Sequence, residues 1–168
     1  MAPIEWARGS GDESGTVADR TRPDGPGFEL TRVFDAPREQ VWREWTTPEA
    51  FADWYGGPDA EVPLDTVSWL PEPDREWRAR MFFGPSRREI NWRGTFLEVE
   101  EPQRLVFTVT DQPEDDRVDI VTVTLEDLGD GRTEMRVEQR GWMEPERYEP
   151  TKRGWGTFFD RMAERLAA

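Results

Sequence analysis

The spacing of hydrophobic residues near the start of the chain indicates one strand followed by two short helices. Residues 28–34, FELTRVF, alternate between apolar and polar positions and are rich in strand formers. Asp35 and Pro37 then predict a helix start, because an aspartate can cap a helix and a proline fits its first turn. Pro48 separates this helix from a second one, which we expect over residues 49–54.

The middle of the chain changes to a strand pattern. Turn-forming segments rich in Gly, Pro and Asp divide it into short runs of strand-forming residues. Connections as short as these predict antiparallel neighbours and not crossover helices. The six expected strands cover residues 62–69, 76–83, 90–100, 104–110, 119–125 and 133–140.

A long helix is predicted at the end of the chain. Its apolar stripe, at helical spacing, consists of Trp155, Phe158, Phe159, Met162, Ala163 and Leu166. We expect a kink or break near Pro150. Gly154 and Gly156 flank Trp155, and three interpretations stay open: a close approach of the helix to the sheet, a hinge, or a helix that begins later.

These elements predict an α+β fold in which a curved antiparallel sheet of about seven strands wraps around the C-terminal helix. The helix is the only element large enough to cover the apolar face of the sheet. The expected domain spans residues 27–168. Residues 1–26 are expected to form a flexible tail, because Gly, Pro and polar residues dominate them.

Composition restricts the chemistry that the domain can perform. The chain of 168 residues has no Cys and no His, which excludes disulfides, a cysteine nucleophile, a serine–histidine–aspartate triad and histidine metal ligands. We therefore expect no metal and no cofactor. Any acid–base catalysis would depend mainly on carboxylates.

Charge and hydropathy restrict the partners. A net charge of −14 opposes binding to nucleic acid. No apolar run is long enough to span a membrane, and no secretory signal is apparent at the N-terminus, so we expect a cytoplasmic protein. The 9 Trp and 9 Phe show that the chain can form a substantial core despite its charge.

Seven segments in the same order resemble a known family. They are RVFDAPREQVW (32–42), WTTPE (45–49), WYGGP (54–58), WRGTFLEV (92–99), PQRLVFT (102–108), LGDGRT (128–133) and GW (154–155). The chain resembles the START/Bet v 1-like (SRPBCC) helix-grip superfamily, and within it the bacterial stand-alone relatives of the Hsp90 ATPase activator homology domain. It departs from the family at residues 73–76, PDRE, where members often have a Pro-Gly-Gly turn.

The resemblance implies a cavity between the sheet and the last helix, which would hold a small hydrophobic or aromatic ligand. Strand parity and the helical stripe place eight side chains around it, and Trp54 joins them as part of a lid; the others are Trp77, Met81, Trp92, Phe96, Phe107, Trp155, Phe159 and Met162. In residues 90–99 the opposite row, Arg93, Thr95, Leu97 and Val99, is an equally plausible inner row. The alternative interpretation is a solid aromatic core. Polar groups that would orient a ligand are Glu98, Arg93, Thr108 and Gln139.

Two further functions stay open. A cyclase-like or hydratase-like enzyme would use a cavity carboxylate, and Glu98 is the candidate because its parity matches that of Trp92 and Phe96. The alternative for Glu98 is a solvent-facing or Arg-paired side chain. A partner-binding module similar to a co-chaperone would show a filled core and an exposed apolar patch.

Overall fold

The computed structural model describes residues 17–112 and 114–168. One antiparallel sheet of seven strands has the spatial order β1-β7-β6-β5-β4-β3-β2. The strands are β1 (Gly27–Phe34), β2 (Ala60–Glu61), β3 (Glu76–Phe83), β4 (Arg88–Glu100), β5 (Arg104–Val109), β6 (Asp119–Asp127) and β7 (Thr133–Arg140). The curved sheet, the long C-terminal helix and the two short helices after β1 confirm the predicted fold class.

In the described part of the chain, four α-helices accompany the sheet: α1 (Val17–Arg20), α2 (Arg38–Thr46), α3 (Pro48–Trp54) and α4 (Tyr148–Ala167). Short 3-10 turns occupy Gly57–Asp59, Leu64–Thr66 and Pro145–Arg147. Helix α4 packs against β1, α2, α3 and the first of these turns. Within the described part of the chain, no helix is long and apolar enough to cross a membrane.

The strand expected over residues 62–69 is not formed. The segment contains the Leu64–Thr66 turn and a single bridge in which Ser68 pairs with Arg78 of β3. Pro63 lies at the start of the turn and has no N–H to donate to a ladder. Only the two residues of β2 pair regularly with this edge of the sheet.

The break expected near Pro150 falls two residues earlier. The 3-10 turn Pro145–Arg147 ends where α4 begins at Tyr148, and Pro150 lies in the first turn of α4. A proline is tolerated there because the first amides of a helix have no intrahelical acceptor. Gly154 and Gly156 therefore lie inside the helix, so the interpretation of a later start is wrong.

Hydrogen bonds connect residues before Gly27 to the rest of the domain. The carbonyl of Arg20 accepts hydrogen bonds from Val118 N at 2.9 Å and from Trp142 Nε1 at 2.8 Å. The carbonyl of Pro26 accepts one from Gly141 N at 3.1 Å. Residues 17–26 are thus docked on the domain, whereas residues 1–16 of the expected tail lie outside the described residues.

Charged side chains attach the C-terminal end of α4 to the two short helices. Arg165 Nε donates to Glu44 Oε1 of α2 at 2.7 Å, and the same guanidinium bonds Asp53 of α3. Arg161 Nη2 reaches Asp53 Oδ2 at 2.9 Å. Burial alone would raise the pKa of Asp53, but the hydrogen bonds from Arg165 and Arg161 outweigh it and hold the pKa below its ordinary value of 3.8.

We predict that Asp53→Asn lowers the melting temperature at neutral pH and that this difference disappears in acid. The lowered pKa means that Asp53 stabilises the fold above pH 3.8 and that this contribution is lost as pH falls through the folded-state pKa. Thermal melts of both proteins across acidic pH measure the effect. Asp59→Asn, at an exposed residue without a described ion pair, is the control. A pH-independent difference would contradict the prediction.

We also predict that Gly154→Ala and Gly156→Ala each stabilise the protein by about 0.5–1 kcal/mol. An added Cβ at either position would meet no atom within 4 Å, which excludes the close-approach interpretation. Chemical denaturation measures the free energy of unfolding. Gly94→Ala is the contrasting variant, since its Cβ would lie 1.8 Å from the Thr108 carbonyl oxygen and must destabilise. Destabilisation by the two helical variants would show that α4 needs these glycines.

Candidate functional site

Eight of the nine predicted lining residues lie in one buried apolar cluster beneath α4. They are Trp54, Trp77, Met81, Phe96, Phe107, Trp155, Phe159 and Met162. The same cluster contains further aromatic residues that the sequence did not assign to the site, among them Trp45, Phe51, Tyr55 and Trp69. Each of these twelve side chains is at most 4% exposed.

The rings of this cluster pack directly on one another. The ring centroid of Trp45 lies 4.8 Å from that of Trp54 and 5.9 Å from that of Phe159. Trp69 stacks on Phe51 at 3.8 Å with an interplanar angle of 9°. Side chains therefore fill the interior under the middle of α4, as in the solid-core interpretation, and open space lies at the edge of the cluster.

A pocket of about 310 Å³ opens at that edge. It lies between the first turn of α4 and strands β4 to β7. Its lining includes Trp92, Val109, Thr110, Asp119, Gln139, Met143 and Thr151, and we call this space the mouth pocket. Trp92 is the one predicted lining residue that this pocket includes, and its ring packs on Tyr55 with centroids 5.6 Å apart.

A chain of buried polar groups connects the mouth pocket to the aromatic cluster. Trp155 Nε1 donates to Gln139 Oε1 at 2.8 Å, and Gln139 Nε2 donates to Asp119 Oδ2 at 2.9 Å. The Tyr148 hydroxyl donates to the same Asp119 oxygen at 3.0 Å, and Trp142 N donates to Oδ1 at 3.1 Å. Three donors thus satisfy a carboxylate that is 7% exposed.

The environment keeps both tyrosines of the protein protonated. Burial, reinforced by the Asp119 carboxylate, raises the pKa of Tyr148 far above its ordinary value. Burial also raises the pKa of Tyr55 well above 10.0, with a smaller contribution from Asp111. Tyr148 is therefore a hydrogen-bond donor to Asp119 throughout the neutral range.

The indole of Trp92 is the unsatisfied group of the mouth pocket. Its Nε1 is buried and has no hydrogen-bond partner within the described part of the chain. A buried donor without an acceptor costs about 1–3 kcal/mol. An acceptor brought by a ligand would remove that cost, although the ring must tilt to reach it because Nε1 is shielded from water.

Glu98 does not face the interior, and its predicted parity is wrong. The pairing of β4 with β5 shifts register between Phe96 and Glu98, so a bulge moves Glu98 to the outer face opposite Val106. Its carboxylate lies 3.3 Å from Arg104 Nε. This is the Arg-paired interpretation, and it removes Glu98 as a catalytic candidate.

The other polar candidates divide between the two faces of the sheet. Gln139 lines the mouth pocket as expected. Arg93 is exposed on the outer face, and Thr108 Oγ1 accepts a hydrogen bond from Thr95 N at 2.8 Å. The backbone carbonyl of Thr108 faces the core and accepts a hydrogen bond from Trp77 Nε1 at 2.9 Å. That bond passes beside Gly94, where a Cβ would lie 2.5 Å from the indole nitrogen.

Sequence reasoning missed Asp119, Met143 and Tyr148. A signal for Asp119 was present, since it shares strand parity with Val121, Val123 and Leu125, all of them buried. A charged residue on the apolar row of a strand indicates a buried polar network. Among the described residues, no group of three or more acidic side chains could hold a metal ion.

Residues 35–167 match the sequence family described as "Activator of Hsp90 ATPase homolog 1-like protein". The chain belongs to this family. The match confirms the resemblance to helix-grip domains, a fold that often binds hydrophobic ligands. No curated protein sequence matches the chain.

Solved structures agree with the fold of this family member. A protein of Chromobacterium violaceum superposes with a TM-score of 0.73 at 22% identity, covering 84% of this chain and 97% of its own. The AHSA1 protein of Silicibacter pomeroyi gives 0.74 at 21% identity over the same shares. A protein of Arthrobacter aurescens gives 0.72 at 21%, covering 88% and 90%. These similarities establish the fold.

We predict that neither tyrosine ionises while the protein stays folded. Both folded-state pKa values are raised, so the unfolded chain loses protons first and stability falls as pH rises above 10.0. Tyrosinate absorbance and tryptophan fluorescence should therefore change together in an alkaline titration. In Asp119→Asn the pKa of Tyr148 should fall toward its ordinary value. An ionisation near pH 10.0 with unchanged fluorescence in the wild type would contradict the prediction.

Proposed function

We propose that this family member binds a small, largely apolar or aromatic ligand in the mouth pocket. The observation that carries the proposal is a pocket whose lining combines apolar side chains with one buried, unpartnered donor, Trp92 Nε1. Binding sites for small molecules commonly combine apolar walls with a few polar groups that fix orientation.

The walls of the pocket combine apolar and polar surface. Trp92, Val109 and Met143 offer apolar surface, Gln139 and Asp119 are polar, and the charged side chains of Asp111, Asp115, Arg117 and Arg147 also line the space. Burial of ligand surface would contribute about 25 cal/mol per Å² before ordering costs. A ligand oxygen that accepts from Trp92 would select for molecules carrying a hydroxyl or carbonyl group.

The predicted lining residues of the aromatic cluster have a supporting role in this proposal. Trp155 connects to the pocket through Gln139, so a ligand that displaces the Gln139 amide disturbs the indole as well. Deeper entry of a ligand would require Trp155 or Phe159 to move, and both are tightly packed. We therefore place the ligand at the edge of the cluster and not inside it.

An enzyme is the second candidate, with Asp119 in place of Glu98. Asp119 lines the pocket, and its carboxylate is hydrogen-bonded to a tyrosine. However, Tyr148, Gln139 and the Trp142 amide already fill three of the roughly four acceptor positions of this carboxylate. A general base needs a free acceptor position that can reach the substrate proton. The arrangement favours binding over catalysis.

A partner-binding module is the third candidate. Its expected filled core is consistent with the packed rings, and Leu64 and Leu70 are 47% and 50% exposed. Leu64 lies in the expected strand 62–69 that did not form, and Leu70 follows it directly. The mouth pocket supports ligand binding over this alternative, because a ligand acceptor would pair the free donor of Trp92.

We predict that naphthol binds the protein and that its hydroxyl accepts from Trp92. Trp92→Phe keeps an aromatic ring and removes the N–H, which should weaken naphthol binding about fivefold, the effect of one neutral hydrogen bond. Naphthalene, which lacks the hydroxyl, should bind both proteins equally. Quenching of tryptophan fluorescence and thermal shift measure the affinities.

A steric variant tests the location. Met143→Trp should fill the mouth pocket and abolish naphthol binding, whereas Leu70→Trp adds the same side chain at an exposed position elsewhere. Failure of naphthol and related aromatic alcohols to stabilise the wild type would overturn the proposal. Equal binding by Met143→Trp and the wild type would place the ligand elsewhere and overturn it as well.

A further inference from the structure

Two arginines face each other on the outer side of the sheet, away from the mouth pocket. Arg78 of β3 is directly opposite Arg93 of β4 in the antiparallel register. Trp77 and Ala79, which flank Arg78, are buried in the core, so strand alternation places Arg78 on the outer face. Arg93 is directly opposite Arg78 and therefore lies on the same face. Both residues are exposed.

The backbone hydrogen bonds show which type of antiparallel pair the two arginines form. The N–H and C=O of Arg78 both bond Ser68, at 3.0 and 2.9 Å, on the side away from β4. Arg93 bonds Thr110 in the same way, at 3.1 and 2.9 Å, on the side away from β3. Arg78 and Arg93 therefore form a non-hydrogen-bonded pair, the kind in which opposite side chains lie closest.

Within the described residues, neither guanidinium has a carboxylate partner. The ion pairs of the neighbouring strand positions involve other groups, such as Arg80 with Glu89 at 3.4 Å. Like charges directly opposite each other destabilise a sheet. This arrangement is notable in a chain with 36 acidic and 22 basic residues, where carboxylate partners are abundant.

Hydroxyl groups continue the row on both sides. Ser68 and Thr110 bridge directly to Arg78 and Arg93, so their side chains share the outer face with the guanidinium groups. Thr110 Oγ1 accepts a hydrogen bond from Gln112 N at 2.9 Å, which leaves its proton free to donate. Serine, two arginines and threonine thus form one line of donors across four chain segments.

The row borders on concave space. A pocket of about 450 Å³ is lined by Arg78, Arg93, Arg80, Asn91 and Thr66, with Asp65 and Trp92 also on its boundary. A second space of about 140 Å³ lies on the other side of Arg93, next to Thr110 and Asp115. The larger pocket has room for an organic group attached to an anion.

We propose that Arg78 and Arg93, with the flanking hydroxyls, form a binding site for a phosphate group. Planar guanidinium groups match phosphate oxygens in paired hydrogen bonds, and a doubly charged anion relieves the repulsion between them. The phosphate comes either as the free ion or as a phosphomonoester whose organic part occupies the larger pocket. Thr110 also lines the mouth pocket, but Arg78 and Arg93 do not, so variants of these two arginines test the phosphate site separately from ligand binding in the mouth pocket.

The proposal is tested by calorimetric titration with inorganic phosphate and with phenyl phosphate at low salt. We expect both to bind the wild type and each affinity to fall at least tenfold in Arg78→Gln and in Arg93→Gln. Arg43→Gln changes the net charge equally at an exposed arginine of α2 and should bind as the wild type does. Tighter binding of phenyl phosphate would identify a phosphomonoester, and equal binding would identify the free ion.

Thermal melts provide an independent readout. Without phosphate, Arg78→Gln should melt above the wild type because the repulsion is gone, and added phosphate should reverse that order. Added sodium chloride should reduce the difference, since salt screens exposed charges. The proposal is overturned if neither phosphate compound binds the wild type, or if all three arginine variants retain wild-type affinity.

Discussion

Among the described residues, five of the six buried tryptophans donate their indole N–H to an acceptor inside the protein, and these acceptors come from different parts of the fold. The donor–acceptor pairs are Trp45 with Met135 Sδ, Trp54 with the Glu44 carbonyl, Trp69 with the Trp45 carbonyl, Trp77 with the Thr108 carbonyl and Trp155 with Gln139 Oε1. An unmade bond would leave a buried donor unsatisfied. These bonds therefore determine the depth and orientation of the short helices, of the segment before β3 and of α4 relative to the sheet.

The packing of these rings also explains why the core is filled and the open space lies at its edge. The aromatic rings fill the space under α4 and fix it, so the open space is displaced to the edge where β4 to β7 meet the first turn of that helix. There the polar chain from Trp155 to Tyr148 replaces apolar packing. Trp92 is the exception among the aromatic side chains of this region, because its donor remains unpaired.

The periodicity of apolar residues was enough to predict the order of the elements, the antiparallel sheet and the apolar stripe of α4. It could not predict local irregularities of the backbone. The bulge between Phe96 and Glu98 reverses side-chain parity within a single strand, and no residue in WRGTFLEV marks the position. By contrast, Pro63 was a visible signal against the strand expected over residues 62–69, because proline cannot donate a ladder hydrogen bond. Asp119 was visible as a charge on an apolar row, but its partners Gln139 and Tyr148 are distant in sequence and meet only in the folded chain.

Helix α4 is held at both ends. Tyr148 and Trp155 anchor its first turns through the polar chain, and Arg161 and Arg165 anchor its last turns through Asp53 and Glu44. Gly154 and Gly156 flank the anchored Trp155 and lower the helix propensity of that turn. In mechanical terms α4 is a beam clamped at both ends with a compliant section near one clamp. A helix held at both ends cannot rotate away from the sheet as a rigid body. The interior can enlarge only if α4 bends between its two sets of contacts, so any enlargement is small.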